Sequence, residues 1–380
     1  MSLNKRVAEA FLDVATALET GEFKNKVRIG LTLLGSEHGS EELLRAAEMA
    51  SQDGNFDVVV IGPKLETTLE TFETECENTM HEIMEDLLEK DYIQGCVTLH
   101  YSFPIGVSTV GRVVTPATGR EMLIATTTGT SATQRTEAMF KNALYGISTA
   151  KALGIKNPTV GILNVDNARG VERALKELNA NGYDLTLGES KRADGGHIMR
   201  GNDLLMGAVD VMVTDSLTGN ILMKMFSSGA TGGSYEATGF GYGPGIGFDF
   251  DKNILIISRA SGAPVIANAI RYAAQLAKGN LQEVIAKDYK AAKKAGYDKI
   301  IEGFNKTKAA PVKEVEVAKE IVTSEISGID ILDLEDAVST LKQNGIYAES
   351  GMGCTGPIVM INEQRVEAST KILQEAGYIG

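Results

Sequence analysis

The chain has 380 residues, 43% of them hydrophobic, enough for two or three lobes around a sizeable core. Its formal net charge of −13 argues against nucleic-acid backbones and anionic membrane surfaces as partners, and no apolar run approaches the ~18 residues of a membrane span. Three scattered cysteines form neither a disulfide framework nor a zinc pattern, which fits a reducing cytoplasm.

Residues 1–26 read as an amphipathic helix with acidic residues and no apolar signal core. "KVRIGLTLLG" then predicts a strand, and "SEELLRAAEMASQDG" a helix with Ser40 as its N-cap. "FDVVVIGP" is a buried strand, "TFETECENTMHEIMEDLLEKD" an acidic amphipathic helix, and "IQGCVTLH" a short strand. "EMLIATTTG" begins the next strand-helix pair, completed by "TEAMFKNALYGISTAKALGI". "TVGILNV", "YDLTLGE" and "VDVMVTD" read as strands, with "GVERALKELNANG" and "GNILMKMFSS" as helices. Alternation of this kind implies an α/β fold of parallel strands joined by crossover helices. The glycine-rich stretch "SSGATGGSYEATGFGYGPGIGFD" reads as an ordered loop beside a site or a subunit contact. Segment 227–250 carries aromatic and open backbone surface to be covered by a homodimer together with a second kind of subunit. "KNILIISRASG" and "APVIANAIRYAAQLAKGN" supply a last strand, turn and helix. Texture changes after residue 286, and a boundary falls near Pro311. The division is therefore residues 1–26, a core over 27–305, and a small α+β extension over 306–380 with helices at Leu334–Gln343 and Gln364–Ala376.

Phosphate groups are held by backbone N–H groups at strand-to-helix turns, helped by hydroxyl and amide side chains. Three turns qualify: "TDSLTGN" with Ser216, Thr218, Gly219 and Asn220; "SRASGAP" with Ser258, Arg259 and Ser261; and "GESKRADGG" with Lys191 and Arg192. Each reads equally well as a plain helix cap, and neither GxxxxGK[ST] nor a GxGxxG after a first strand occurs. His38 and His100 stand at strand ends, where either an acid/base or a capping role fits. No motif demands a metal or a tightly bound cofactor. Cys76 reads as a packed helix residue whose thiol pKa Glu73, Glu75 and Glu77 would raise. Cys96 is either a buried strand residue or a second active-site thiol. Cys354 lies in "GMGCTGP", where glycines leave the backbone open, and reads as a tight turn or as a nucleophile with N–H groups for an oxyanion.

"VRIGLTLLGSEHGSEELLRAAEMA", "VGILNVDNARG", "GAVDVMVTDSLTGNILMK" and "NILIISRASGAPVIANAIRYAAQLA" together resemble the phosphate acyltransferases and phosphotransacetylases. That resemblance implies a three-layer, doubly wound, mostly parallel sheet with two lobes and a cleft. Over its whole length, including "FGYGPGIGFDFDKN" and "ESGMGCTGPIVMINE", the chain resembles the alpha subunits of component C of glycine/sarcosine/betaine reductase. The resemblance implies formation of acetyl phosphate by phosphate attack on an enzyme-bound acetyl thioester, with Cys354 as the acyl carrier and inorganic phosphate as substrate. It also implies a component C beta subunit and a component A selenoprotein as partners. Two other functions stand beside this one: a stand-alone acyltransferase using acyl-carrier protein or coenzyme A, and a non-catalytic assembly subunit with an incidental thiol.

Overall fold

In "DVVVIG", Val58 and Val60 join one hydrophobic cluster while Val59 and Ile61 join another on the opposite face. A strand apolar on both faces is stable only between two layers of helix. Each fully buried aliphatic side chain contributes about 1.5–3 kcal/mol to that arrangement. The structure, a computed structural model, describes residues 15, 18, 26–193, 195–306, 317–330, 333–353 and 356–379. The predicted N-terminal helix, apart from residues 15, 18 and 26, and Cys354 lie outside the described residues.

The first part of the core holds β1 (Arg28–Thr32), α1 (Ser40–Ser51), β2 (Asp57–Gly62), β3 (Glu70–Glu73), α2 (Glu77–Glu89), β4 (Gly95–Thr98), β5 (Val107–Val114), β6 (Glu121–Thr130) and α3 (Arg135–Ala152). Next come β7 (Thr159–Leu163), α4 (Ala168–Ala180), β8 (Thr186–Leu187), β9 (Ile198–Met199), α5 (Gly201–Met206), β10 (Val211–Val213) and α6 (Ser216–Ser228). The core closes with β11 (Gly243–Ile246), β12 (Ile254–Ile256), α7 (Ala263–Lys278), α8 (Leu281–Lys294) and α9 (Tyr297–Lys306). Residues from β1, α1, α3, α4, α7, α8 and α9 share the largest cluster on one face. Residues from α2 pack on the other face, as do those from α5 and α6. The three-layer α/β class implied by the sequence is thus the observed one.

The sheet is ordered β3-β2-β1-β4-β12-β11-β5-β6-β10-β7-β8, with β9 also on β7. It is more mixed than the alternation implied. β11 pairs antiparallel with β12 and with β5, and β5 pairs antiparallel with β6. The parallel group β3-β2-β1-β4-β12 therefore runs opposite to the parallel group of β6, β10, β7, β8 and β9. The missed strand β5, "VSTVGRVV", is β-branched at five of its eight positions, so its strand signal was present in the sequence.

Local corrections have physical causes. "TFE" leaves the predicted acidic helix because Thr71 and Phe72 pair beside Val60 and Ile61 as an edge strand. Ser40 is the first helical residue, not the cap; its hydroxyl donates to the Leu33 carbonyl at 2.6 Å, and Gly39 caps at φ 82°. The largest correction concerns the glycine-rich stretch. Part of it is β11, wholly buried in the middle of the sheet, with Ile246 0% and Tyr242 5% exposed. Its own chain covers that part, whereas residues 229–235, including Tyr235, lie at the surface. Glycine is required in β11: a Cβ on Gly243 would lie 1.8 Å from the Val110 oxygen, and one on Gly245 would lie 2.3 Å from the Phe103 ring.

Beyond α9, β13 (Ser324–Ser327), α10 (Leu334–Gln343), β14 (Ala348–Gly353), β15 (Gly356–Ile361) and α11 (Val366–Glu375) form a separate unit. Its antiparallel sheet has the order β13-β15-β14 and its own core around Leu341, Val359 and Leu373. An ion pair of 2.9 Å between Arg173 on α4 and Asp333 ties this unit to the core.

Candidate functional site

Helix α6 positions the candidate site. It begins after β10 and lies across β6 toward the end of β12. Asp215 is its N-cap: the carboxylate accepts from the Thr218 N–H at 3.0 Å and from the Thr218 hydroxyl at 2.7 Å. Burial alone would raise the Asp215 pKa, but those two donors and the Arg135 guanidinium outweigh it and hold the carboxyl below its ordinary value. Arg135 bridges Asp215 at 3.1 Å and Asp166 at 3.3 Å. The helix approaches β6 closely enough that a Cβ on Gly219 would sit 1.7 Å from the Thr126 oxygen. Asn220 donates its side-chain amide to the Thr127 carbonyl at 3.1 Å.

Beside the start of α6 lies a cavity of about 350 Å³, lined by Thr126, Gly129–Thr133, Arg135, Asn142, Asp215 and Ser216 among others. Hydroxyl side chains share its wall with apolar ones such as Ala138, Met139 and Leu217. Ser131 and Ser108 both donate to the Asn142 amide oxygen, at 2.7 and 2.9 Å, which fixes that wall. Asp166 links this region to the C-terminal unit, because it also lines a cavity of about 370 Å³ with the segment Ser327–Asp330.

The three predicted phosphate turns do not converge on one point. Ser216, Thr218, Gly219 and Asn220 stand at the start of α6. Ser258, Arg259 and Ser261 stand at the end of β12. The two groups meet along α6: the Lys224 ammonium donates to the Ser258 hydroxyl at 2.9 Å. Lys224 lies eight residues past Ser216, about 12 Å along the helix axis at ~1.5 Å per residue. Lys191 and Arg192 form a third group. The Lys191 N–H donates to buried Asp203 at 2.7 Å, and Arg192 lines the 370 Å³ cavity at the C-terminal unit. Asp203 also accepts from Ser190 and from the Arg200 N–H, and these bonds overcome burial to lower its pKa.

Several expected donors already have internal partners. The first N–H of α7 donates to Glu42 at 2.7 Å, across 221 residues of sequence, so that helix start already has its carboxylate. Ser261 donates to Glu236 at 2.8 Å. His100 is exposed at the end of β4, on the sheet edge that carries the β12 turn. His38 approaches the same turn, its Nε2 3.4 Å from the Ala260 carbonyl, with its ring edge-on to Tyr235.

The cysteines depart from expectation. Cys96 is 0% exposed in the cluster under α2, and burial drives its thiol pKa far up. It is a packing residue and faces no cleft. Cys76 is exposed at the N-cap of α2, where the Thr79 N–H, the Thr79 side chain and the Asn78 N–H lower its pKa. The neighbouring glutamates do not win, because hydrogen bonds at a helix start act at shorter range than solvated charges. Iodoacetamide should therefore modify Cys76 in the native chain and Cys96 only after denaturant is added. Peptide mass spectrometry checks this, and equal labelling rates would contradict both placements.

Sequence reasoning missed Arg135, Asp166, Lys224 and Glu236. The hydroxyl run "TTTGTSATQR", from the end of β6 to the first residue of α3, was the available signal for Arg135. Lys224 and Glu236 gave none, because nothing local says that they meet.

The family model described as "Fatty acid synthesis protein" matches residues 27–360. The chain is 61% identical over 381 residues, covering 99% of both chains, to "Glycine/sarcosine/betaine reductase complex component C subunit alpha" of Peptoclostridium acidaminophilum. It is 25% identical over 236 residues, 53% of this chain and 67% of the relative, to "Phosphate acyltransferase" of Thermotoga petrophila. Among solved structures it is similar to a branched-chain phosphotransacylase from Enterococcus faecalis V583, with a TM-score of 0.46 and 15% identity over 66% of this chain and 99% of that one. The chain therefore belongs to the fatty acid synthesis protein family and, within it, to the family of the component C alpha subunit of glycine/sarcosine/betaine reductase.

Proposed function

We propose that this chain is an acyltransferase to phosphate, making acetyl phosphate from an enzyme-bound acetyl thioester as the alpha subunit of a glycine/sarcosine/betaine reductase component C. The end-to-end match at 61% identity to a component C alpha subunit carries the reading. The phosphate acyltransferase relatives support acyl transfer to phosphate in the core. On this reading Cys354, between β14 and β15 in sequence, holds the acetyl group. A component C beta subunit and a selenoprotein are the partners that deliver it.

The chemistry sets the requirements. A phosphate oxygen attacks the thioester carbonyl, a C–O bond forms, and a tetrahedral oxyanion develops. The C–S bond then breaks and its electron pair leaves on sulfur, which takes up a proton. The protein has to hold phosphate against the carbonyl and place N–H or O–H donors on the oxyanion. At the start of α6 only the Ser216 and Leu217 N–H groups lack an intrahelical or capping acceptor, because Asp215 takes those of Thr218 and Gly219. The cavity of about 350 Å³ beside it has room for a small ligand.

Arsenate in place of phosphate gives an acyl arsenate that hydrolyses at once, so turnover is read as arsenate-dependent loss of acetyl phosphate. The chain, alone or with its beta subunit, should catalyse that loss and carry an acetyl group visible by mass spectrometry. Absence of both with the beta subunit present would sink the reading. Rapid acyl exchange with free coenzyme A or acyl-carrier protein would replace it with a stand-alone acyltransferase.

A further inference from the structure

Glu236 is a carboxylate 1% exposed, under the helix that spans the site. A buried carboxylate persists only where its charge is paired and its oxygens accept hydrogen bonds. Here Lys224 donates to Oε1 at 2.6 Å, the Tyr242 hydroxyl donates to the same oxygen at 3.2 Å, and the Ser261 hydroxyl donates to Oε2 at 2.8 Å. Four elements or turns meet at this carboxylate, and its demand is met in full.

The lysine is different. Its side chain is 46% exposed, although its carboxylate partner is buried. An ammonium has three N–H donors. One goes to Glu236 and one to the Ser258 hydroxyl, which leaves one directed elsewhere. Ser258 Oγ accepts from Lys224 and from the Ala260 N–H at 3.2 Å, and its own proton meets no acceptor among the described residues. One ammonium N–H and one hydroxyl proton are thus presented together at the carboxyl end of β12. The exposed Arg259 stands one residue away in the chain. The charge of nearby Glu42 is met by Arg45 at 3.0 Å and by the Ala263 N–H, so it does not oppose an anion there unscreened.

We infer that Lys224 and Ser258 form the seat of inorganic phosphate, and that Glu236 is a positioning residue that holds Lys224 in the binding rotamer before phosphate arrives. The inference rests on the reading that this chain uses phosphate, and it deepens that reading by naming the residues. A lysine bound to a buried partner loses little further freedom when an oxyanion binds. Its point charge suits a tetrahedral anion that approaches from any direction. A phosphate on this seat attacks only a carbonyl brought within about 3–3.5 Å of it, so the thioester has to reach the carboxyl end of β12.

The test is calorimetric titration of inorganic phosphate into the full chain and into Lys224→Arg, Lys224→Met and Glu236→Gln. Phosphate KM and kcat for acyl phosphate formation are measured in parallel. Lys224→Met should weaken phosphate binding about tenfold or more, whereas Lys224→Arg should keep most of it. Glu236→Gln should raise the phosphate KM more than it lowers kcat. Lys224→Met leaves the buried Glu236 charge unpaired, so the double variant Lys224→Met/Glu236→Gln, which removes that charge together with its partner, carries the test if the single variant does not fold. Unchanged phosphate affinity in a folded Lys224→Met variant would overturn the inference and leave the proposed activity standing. Phosphate binding that depends on Lys224 in a chain without acyltransferase activity would do the reverse.

Discussion

Gly219→Ala is expected to destabilise the chain by about 3 kcal/mol or more and to abolish acyl transfer. The added methyl would stand 1.7 Å from the Thr126 oxygen and 2.8 Å from the Thr126 carbonyl carbon. Both are backbone atoms, so no side-chain rotation relieves the overlap. Relief requires α6 to move off β6, which breaks the Asn220 to Thr127 bond and displaces the Lys224 contact with Ser258. Site and fold therefore fail together. The control is Gly229→Ala at the end of the same helix. Gly229 has φ −57° and ψ −39°, and nothing lies within 4 Å of its added Cβ. That substitution should be neutral or stabilise by about 0.4–1 kcal/mol through a less flexible unfolded chain. Urea midpoints of the two variants decide the matter. Equal midpoints would show that α6 does not depend on close contact with β6.

Cys354→Ala should fold as the parent chain does and lose acetyl labelling together with arsenolysis, the latter by at least about 10³-fold. Removing a nucleophile removes a covalent route, whereas removing a packed thiol mostly costs stability. Cys96→Ala is the contrasting case. That thiol is fully buried with a raised pKa, so the variant should lose about 1 kcal/mol of stability and keep its activity. Cys76→Ala should keep both. Circular dichroism reports folding, and intact-mass spectra after incubation with acetyl phosphate report the acyl group. Full arsenolysis by folded Cys354→Ala would remove the acyl-carrier role from the tail and leave attack on a thioester held by another subunit.

The sequence by itself determined the layers. Apolar strands such as "DVVVIG" and amphipathic helices such as "SEELLRAAEMAS" carry their period in consecutive residues, and that period is a local property. It also located the turn that opens α6, but the predicted helix, "GNILMKMFSS", starts at Gly219, three residues late, because it leaves out the Asp215 cap on Thr218 although the two lie three positions apart. Tertiary structure alone decided the middle of the sheet. "GPGI" has no strand signature, yet it is β11, because β12 and β5 supply the ladder and only glycine clears Val110 and Phe103. It alone decided that the parallel groups run in opposite directions, since that follows from which edges β11 and β5 join. And it alone brought Lys224 to Glu236 and Ser258, and Arg135 to Asp215 across 80 residues. A charged side chain takes its partner from whatever the packed backbone puts within about 3 Å, and local sequence periodicity carries no record of that distance.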